Sequence, residues 1–140
     1  MEIKVTRAQT DRTRPDDSEL GFGTVFTDHM FVMDYSVEKG WHNPEIVPHE
    51  DFSMPPSAMV LHYGQAIFEG LKAYKTPDGK IQLFRARDNF ERMNRSARGL
   101  CIPEIDIDFV MDSLKKLILL EEKWIPESLG TSLYIRPTII

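Results

Sequence analysis

The sequence predicts an α+β fold, a two-layer sandwich of a mainly antiparallel sheet with helices on one side. Three observations carry this. Alternating residues around a turn signal at 71–85 mark a β-hairpin. Apolar residues three and four apart in 88–98 and again from 106 mark two helices. Strands come before the helices instead of alternating with them, which argues against βαβ units and a parallel sheet.

Taken in order, residues 1–20 read as a polar lead-in, with Pro15 and the acidic pair Asp16 and Asp17 in an extended or loop segment. Met30-Phe31-Val32-Met33 is a short apolar run suited to a mostly buried strand. Lys39-Gly40-Trp41 reads as a turn. The stretch from there to Pro56 holds several prolines and few helix formers, and is expected to be loop with short strand pieces. In the hairpin, Leu71, Ala73 and Lys75 alternate with Lys72 and Tyr74, and Ile81 and Leu83 with Gln82 and Phe84. Pro77 presets φ for the turn and Gly79 can take the positive φ of its return.

Phe90, Met93 and Ala97 form the apolar stripe of the first helix, expected over 88–98. Gly99 suits the position just past its end and Pro103 stops any extension. Asp106 can cap the second helix, whose stripe is Ile107, Val110, Met111, Leu114, Leu117 and Ile118. Pro126 and Gly130 close that unit. Residues 131–140 read as one strand, with Leu133, Ile135, Pro137 and Ile139 on one side and Ser132, Tyr134, Arg136 and Thr138 on the other. This strand runs to the last residue, so the sequence is expected to be the front piece of something longer.

The 140 residues suit one domain. Lys+Arg number 17 against Asp+Glu 22, a net charge of −5. That balance argues against nucleic acid or an anionic membrane surface as partner. No apolar run reaches bilayer length, and the N-terminus lacks the pattern of a signal peptide, so the expected location is the cytoplasm. A single cysteine, Cys101, excludes an intramolecular disulfide and reads as a small buried apolar residue. His29, His42, His49 and His62 show no metal-ligand spacing, so no metal is expected. Asp28-His29 is an adjacent acid and base for which a structural role is favoured.

Arg85, Arg87, Arg92, Arg95 and Arg98 crowd the first helix. They suit a solvated face with acidic partners. Arg92, however, lies beside the apolar stripe with Asn89 and Ser96 at helical spacing, where its fork can hold a monophosphate. Tyr134 and Arg136 point to one face of a strand and together offer a neutral and a charged donor to a carboxylate; they also suit a half-exposed sheet face. Tyr63, Phe68 and Phe22 lie near glycines, as ligand walls or as plugs beneath loops.

Taken together, Phe22-Gly23-Thr24-Val25-Phe26-Thr27-Asp28-His29-Met30, the run from Leu61 through Phe68-Glu69-Gly70 to Tyr74, Leu83-Phe84-Arg85, Asn89-Phe90-Glu91-Arg92-Met93 and Gly130-Thr131-Ser132-Leu133-Tyr134-Ile135-Arg136-Pro137 resemble the start of branched-chain amino acid aminotransferases, fold-type IV pyridoxal-phosphate enzymes. The resemblance covers 21–140 and implies the small N-terminal domain, without the larger C-terminal domain that carries the cofactor lysine. No catalytic residue is therefore expected in this chain, and the chain alone is expected to be inactive. The resemblance implies that Arg92 binds the phosphate of pyridoxal 5'-phosphate. Tyr134 and Arg136 would hold substrate carboxylates, Phe22 and Phe68 would wall the side-chain pocket, and Tyr63 would reach the site of a partner subunit in a homodimer. The implied reaction moves the amino group between leucine, isoleucine or valine and 2-oxoglutarate, so the partners are small amino acids and 2-oxo acids. A D-amino acid aminotransferase, an aminodeoxychorismate lyase and a non-enzymatic phosphate-binding module are the alternatives.

Overall fold

A computed structural model describes residues 1–9 and 12–140; residues 10 and 11 of the expected lead-in lie outside the described residues. The start of that lead-in is a strand. β1 (Lys4–Val5) pairs in parallel with Glu45 and Ile46, and Ile3 and Ile46 are buried beside it. β2 (His29–Ser36) and β3 (Gly40–Pro48) form a long antiparallel hairpin, with Gly40 at φ 67° where the chain returns. The proline-rich stretch expected to be loop with short strand pieces thus begins as a nine-residue strand in the middle of a β1-β3-β2 sheet. A β-bulge reconciles Pro44 with that position. The register steps from Val32↔Glu45 to Asp34↔His42, so Asn43 and Pro44 face Met33 alone. Asn43 takes the left-handed φ of 51° that tolerates asparagine. Pro44 can lack an N–H there because the ladder is interrupted.

After a single short helix turn, α1 (Met59–Tyr63), come β4 (Ile67–Phe68) and β5 (Leu71–Lys75). β5 and β6 (Ile81–Leu83) make the expected hairpin. Thr76 N–H donates to Lys80 O at 2.8 Å and Gly79 sits at φ 78°. The helix expected over 88–98 is α2 (Ala86–Gly99) and ends one residue later than expected. Gly99 remains helical, and Cys101 instead takes the left-handed turn at φ 53°. Cys101 is exposed, contrary to its expected burial, because that turn points it outward while Ile102 is buried.

α3 (Ile107–Leu120) starts as expected, with the Asp106 carboxylate accepting Phe109 N–H at 3.1 Å. The last ten residues form two strands instead of one. β7 (Leu133–Ile135) pairs with β5, and β8 (Thr138–Ile139) pairs with β4. Pro137 falls between them and cannot continue a ladder as a donor. The architecture is α+β; among the described residues pairing is antiparallel except at β1–β3 and is divided over three small sheets. Phe90, Met93 and Ala97 of α2 and Leu114 and Ile118 of α3 share one core with Ile67, Leu71 and Ala73 of the strands. Burying a side chain such as Phe90 contributes about 2 kcal/mol. Among the described residues no helix is long and apolar enough to cross a membrane.

Two buried polar connections hold this packing in place. Asn94 on α2 donates from Nδ2 to Ile105 O at 2.9 Å, and its Oδ1 accepts Ile105 N–H at 2.9 Å. This pins the 100–106 connection to α2. The second joins the start of β2 to the end of α3. Glu121, 2% exposed, accepts Asp28 N–H at 2.8 Å through Oε2. Its Oε1 lies 2.5 Å from His29 Nδ1. Ala8 N–H donates to His29 Nε2 at 2.8 Å, so the imidazole hydrogen belongs on Nδ1, facing Glu121. The Asp28 carboxylate accepts Arg12 N–H at 2.7 Å and Trp124 Nε1–H at 3.1 Å, and Lys123 Nζ lies at 2.8 Å. Asp28 and His29 are therefore fastenings, as favoured from sequence. Burial pushes the Asp28 carboxyl up, but the Lys123, Arg12 and Trp124 donors outweigh it and hold the group down to about 2 from an ordinary 3.8.

Two outcomes follow. Replacing Asn94 with alanine (N94A) strips partners from both backbone groups of Ile105 and is expected to cost about 2 kcal/mol in urea unfolding. Because Asp28 is more acidic folded than unfolded, its stabilisation is complete above about pH 4 and fades as pH falls through about 2. D28N is expected to lower stability by about 2 kcal/mol at pH 7, with the difference from wild type shrinking below pH 3.

Candidate functional site

The stripe that turns Phe90, Met93 and Ala97 into the core leaves Arg92 on its shoulder. There it meets Glu69, which follows β4. Arg92 Nε–H donates to Glu69 Oε1 at 2.7 Å and its Nη2 to Oε2 at 2.5 Å, a side-on, two-point pairing. Asn89, one turn earlier on α2, donates from Nδ2 to Glu69 Oε2 and to Gly70 O, both at 3.1 Å. Glu69 is 5% exposed. Burial pushes its carboxyl up, but the hydrogen bonds from Arg92 and Asn89 and the charge of Arg92 prevail, leaving it more acidic than usual. Glu69 in turn makes Arg92 harder to deprotonate. A guanidinium has five N–H bonds. Glu69 occupies one edge, and the Nη1 hydrogens have no partner among the described residues. The Arg92 side chain is 57% exposed, so that second edge is open to an anion.

The neighbouring group is built by β7 and β4. Tyr134 and Arg136 lie two apart and share a face, as expected. The Arg136 guanidinium sits over the Phe68 ring at 4.4 Å from its centroid and 5.2 Å from that of Tyr134. Phe22, from the irregular segment after the lead-in, meets Tyr134 edge-on, with centroids 5.1 Å apart and planes at 67°. Phe22 and Phe68 are otherwise exposed. Arg136 makes no hydrogen bond or ion pair among the described residues. Its fork is held by rings, not by a carboxylate.

Phe68-Glu69-Gly70 links the two groups. Glu69 N–H donates to Pro137 O at 2.9 Å, fixing this segment beside the break between β7 and β8. Gly70 packs against the Tyr134 hydroxyl so closely that any Cβ there would collide with it. Phe68, Arg136, Tyr134 and Phe22 therefore form one row of ring contacts, and Arg92 is tied through Glu69 to the segment that carries Phe68. Tyr63 does not join it. It ends α1, is 78% exposed and, among the described residues, has only His62 as ring neighbour, with centroids 6.5 Å apart. Sequence reasoning assigned no role to Glu69. The signal available was a carboxylate between Phe68 and Gly70 in a segment otherwise apolar, whose partner lies 23 residues away.

No family model matches the chain. It is 54% identical over 138 residues to branched-chain-amino-acid aminotransferase 2 of Bacillus subtilis (strain 168), covering 99% of this chain and 38% of that protein. It is 47% identical over 137 residues to a probable branched-chain-amino-acid aminotransferase of Staphylococcus aureus (strain N315), covering 98% of this chain and 38% of the relative. To the cytosolic branched-chain-amino-acid aminotransferase of Saccharomyces cerevisiae it is 46% identical over 138 residues, covering 99% and 37%. Among solved structures, the branched-chain amino acid aminotransferase of Escherichia coli matches with a TM-score of 0.56 at 32% identity, over 69% of this chain and 30% of that one. The chain thus spans under two fifths of the length of the curated relatives it matches. Sequence and fold together place it with the N-terminal portion of the branched-chain-amino-acid aminotransferases.

Proposed function

We propose that these residues are the small domain, 21–140, of a cytoplasmic branched-chain-amino-acid aminotransferase. The full-length protein transfers the amino group between leucine, isoleucine or valine and 2-oxoglutarate, using pyridoxal 5'-phosphate. The observation that carries this is that Phe68-Glu69-Gly70 joins two groups: an arginine with one open edge, held by Glu69, and an apolar wall with a tyrosine and an arginine whose donors are unused. That arrangement suits a ligand assembly with a phosphate at one end and a carboxylate at the other.

The residues fit the cofactor. The open edge of Arg92 offers charged N–H donors to a phosphate, and its other edge is already held, so the group arrives at an oriented fork. When bound, pyridoxal phosphate supplies the electron sink for moving the amino group. This chain's share is to bind and orient. Arg92 takes the phosphate. Tyr134 donates its hydroxyl to a substrate carboxylate, while Phe22 and Phe68 exclude water from the side-chain pocket.

One pocket must accept both a branched apolar group and the propionate of glutamate. Arg136 suits both. Lying over Phe68 it completes an apolar floor, a cation–π contact that leaves its N–H groups at the rim. The same N–H groups can take a carboxylate two-pronged when 2-oxoglutarate enters. Apolar walls separate substrates by only about 1–3 kcal/mol per methylene, so all three branched amino acids are accepted. Tyr63, exposed at the end of α1, is assigned to the neighbouring site of a homodimer.

Two measurements on the full-length protein test this reading. R92A is expected to weaken pyridoxal phosphate binding about 10–100-fold while leaving pyridoxal, which lacks the phosphate, bound as before; equal losses for both ligands reject Arg92 as the phosphate residue. R136Q is expected to lower kcat/KM for 2-oxoglutarate about 10–100-fold and that for L-leucine by less than about threefold. Parallel losses for the two substrates in single-turnover kinetics contradict the role given to Arg136.

A further inference from the structure

Glu69 is a buried carboxylate that the proposed reaction does not use, and its position is unusual for a merely structural ion pair. Its partner Arg92 is more than half exposed, so the pair is not a sealed internal contact. A long arginine side chain at a surface ordinarily samples many rotamers. Here two parallel N–H···O bonds, of 2.7 and 2.5 Å, fix the plane of the guanidinium as well as its position. The carboxylate is itself fixed, by Asn89 Nδ2 at 3.1 Å and by the bond from Glu69 N–H to Pro137 O. Glu69 occupies the edge made by Nε and Nη2, and the Nη1 hydrogens are left without a partner among the described residues.

Resting on the reading of Arg92 as the phosphate residue, we propose that Glu69 is a positioning residue for the cofactor phosphate. It holds the Arg92 guanidinium by one edge so that the other edge meets the phosphate already oriented. Carboxylate and phosphate then lie on opposite edges of one cation, each attracted to it, and Asn89 keeps the carboxylate on its own side. Freezing a rotamer-rich side chain before the ligand arrives is worth about tenfold in affinity. The effect belongs to the phosphate alone, because the Glu69 side chain bonds to Arg92 and Asn89 and makes no hydrogen bond or ion pair with Tyr134 or Arg136.

The test compares the dissociation constants of pyridoxal phosphate and pyridoxal for the full-length protein, its E69Q and E69A variants, R92A and the E69A/R92A double variant. Thermal unfolding of each is recorded alongside. In E69Q the preference for pyridoxal phosphate over pyridoxal is expected to fall about tenfold, with pyridoxal binding unchanged. In the R92A background E69A is expected to have no further effect on that preference. A preference unchanged in E69Q and E69A, or equal losses for both ligands with a lowered melting point, makes Glu69 structural only and overturns the inference. A preference that rises means that Glu69 competes with the phosphate, and also overturns it. If R92A itself leaves the preference intact, the assignment of Arg92 fails first, and that result is distinct from a failure of Glu69 alone.

Discussion

A carboxylate taken out of water must find donors, and much of this fold is arranged around three that do. Glu69, Glu121 and Asp28 are all buried. An unpaired buried charge costs several kcal/mol, so each position is tenable only if distant parts of the chain bring donors to it. Glu69 draws in α2 through Asn89 and Arg92. Glu121 draws the start of β2 to the end of α3 through Asp28 and His29. Asp28 in turn holds the described part of the lead-in through Arg12 and the chain after α3 through Trp124 and Lys123. The apolar core and these carboxylates together fix how the segments meet.

That placement is what turns separate elements into a site. Phe22 lies in an irregular segment with no strand pairing of its own, yet it meets Tyr134 edge-on. The fastening of Asp28 and His29 just beyond it sets where that segment starts back into the sheet. Glu69 does the same for Phe68. Because successive side chains along extended backbone point to opposite sides, Phe68 faces Arg136 while Glu69 faces Arg92. One short segment thereby ties Arg92 and Arg136 to the same strand end, and a Cβ at Gly70 would collide with the Tyr134 hydroxyl.

The prolines show how local rules bend under tertiary demand. Pro44 and Pro48 argued for loop, but β3 forms because its flanking strands supply pairing on both sides and a bulge at Asn43 absorbs the missing donor. Pro137 acts in the opposite sense. It divides what alternation alone reads as one strand, and the carbonyl thus freed accepts Glu69 N–H. Cys101 is a third case: its apolar neighbours suggested burial, but the helix end needs a left-handed residue there and the side chain turns outward.

Periodicity in the sequence determined the elements whose stabilising contacts are local. The 71–85 hairpin, α2 with its Phe90, Met93 and Ala97 stripe, and α3 with its Asp106 cap all depend on spacings of two, three or four residues, which the chain carries on its face. The shared face of Tyr134 and Arg136 was legible for the same reason. The link between Arg92 and the row of ring contacts, and that row itself, were not, because they depend on Glu69 meeting a side chain 23 residues away and on Phe22 meeting one far down the chain. Nor was the sheet containing β1 and β3, whose pairing spans about 40 residues. Which donors satisfy a buried charge is a property of the packed whole, and only the tertiary structure decides it.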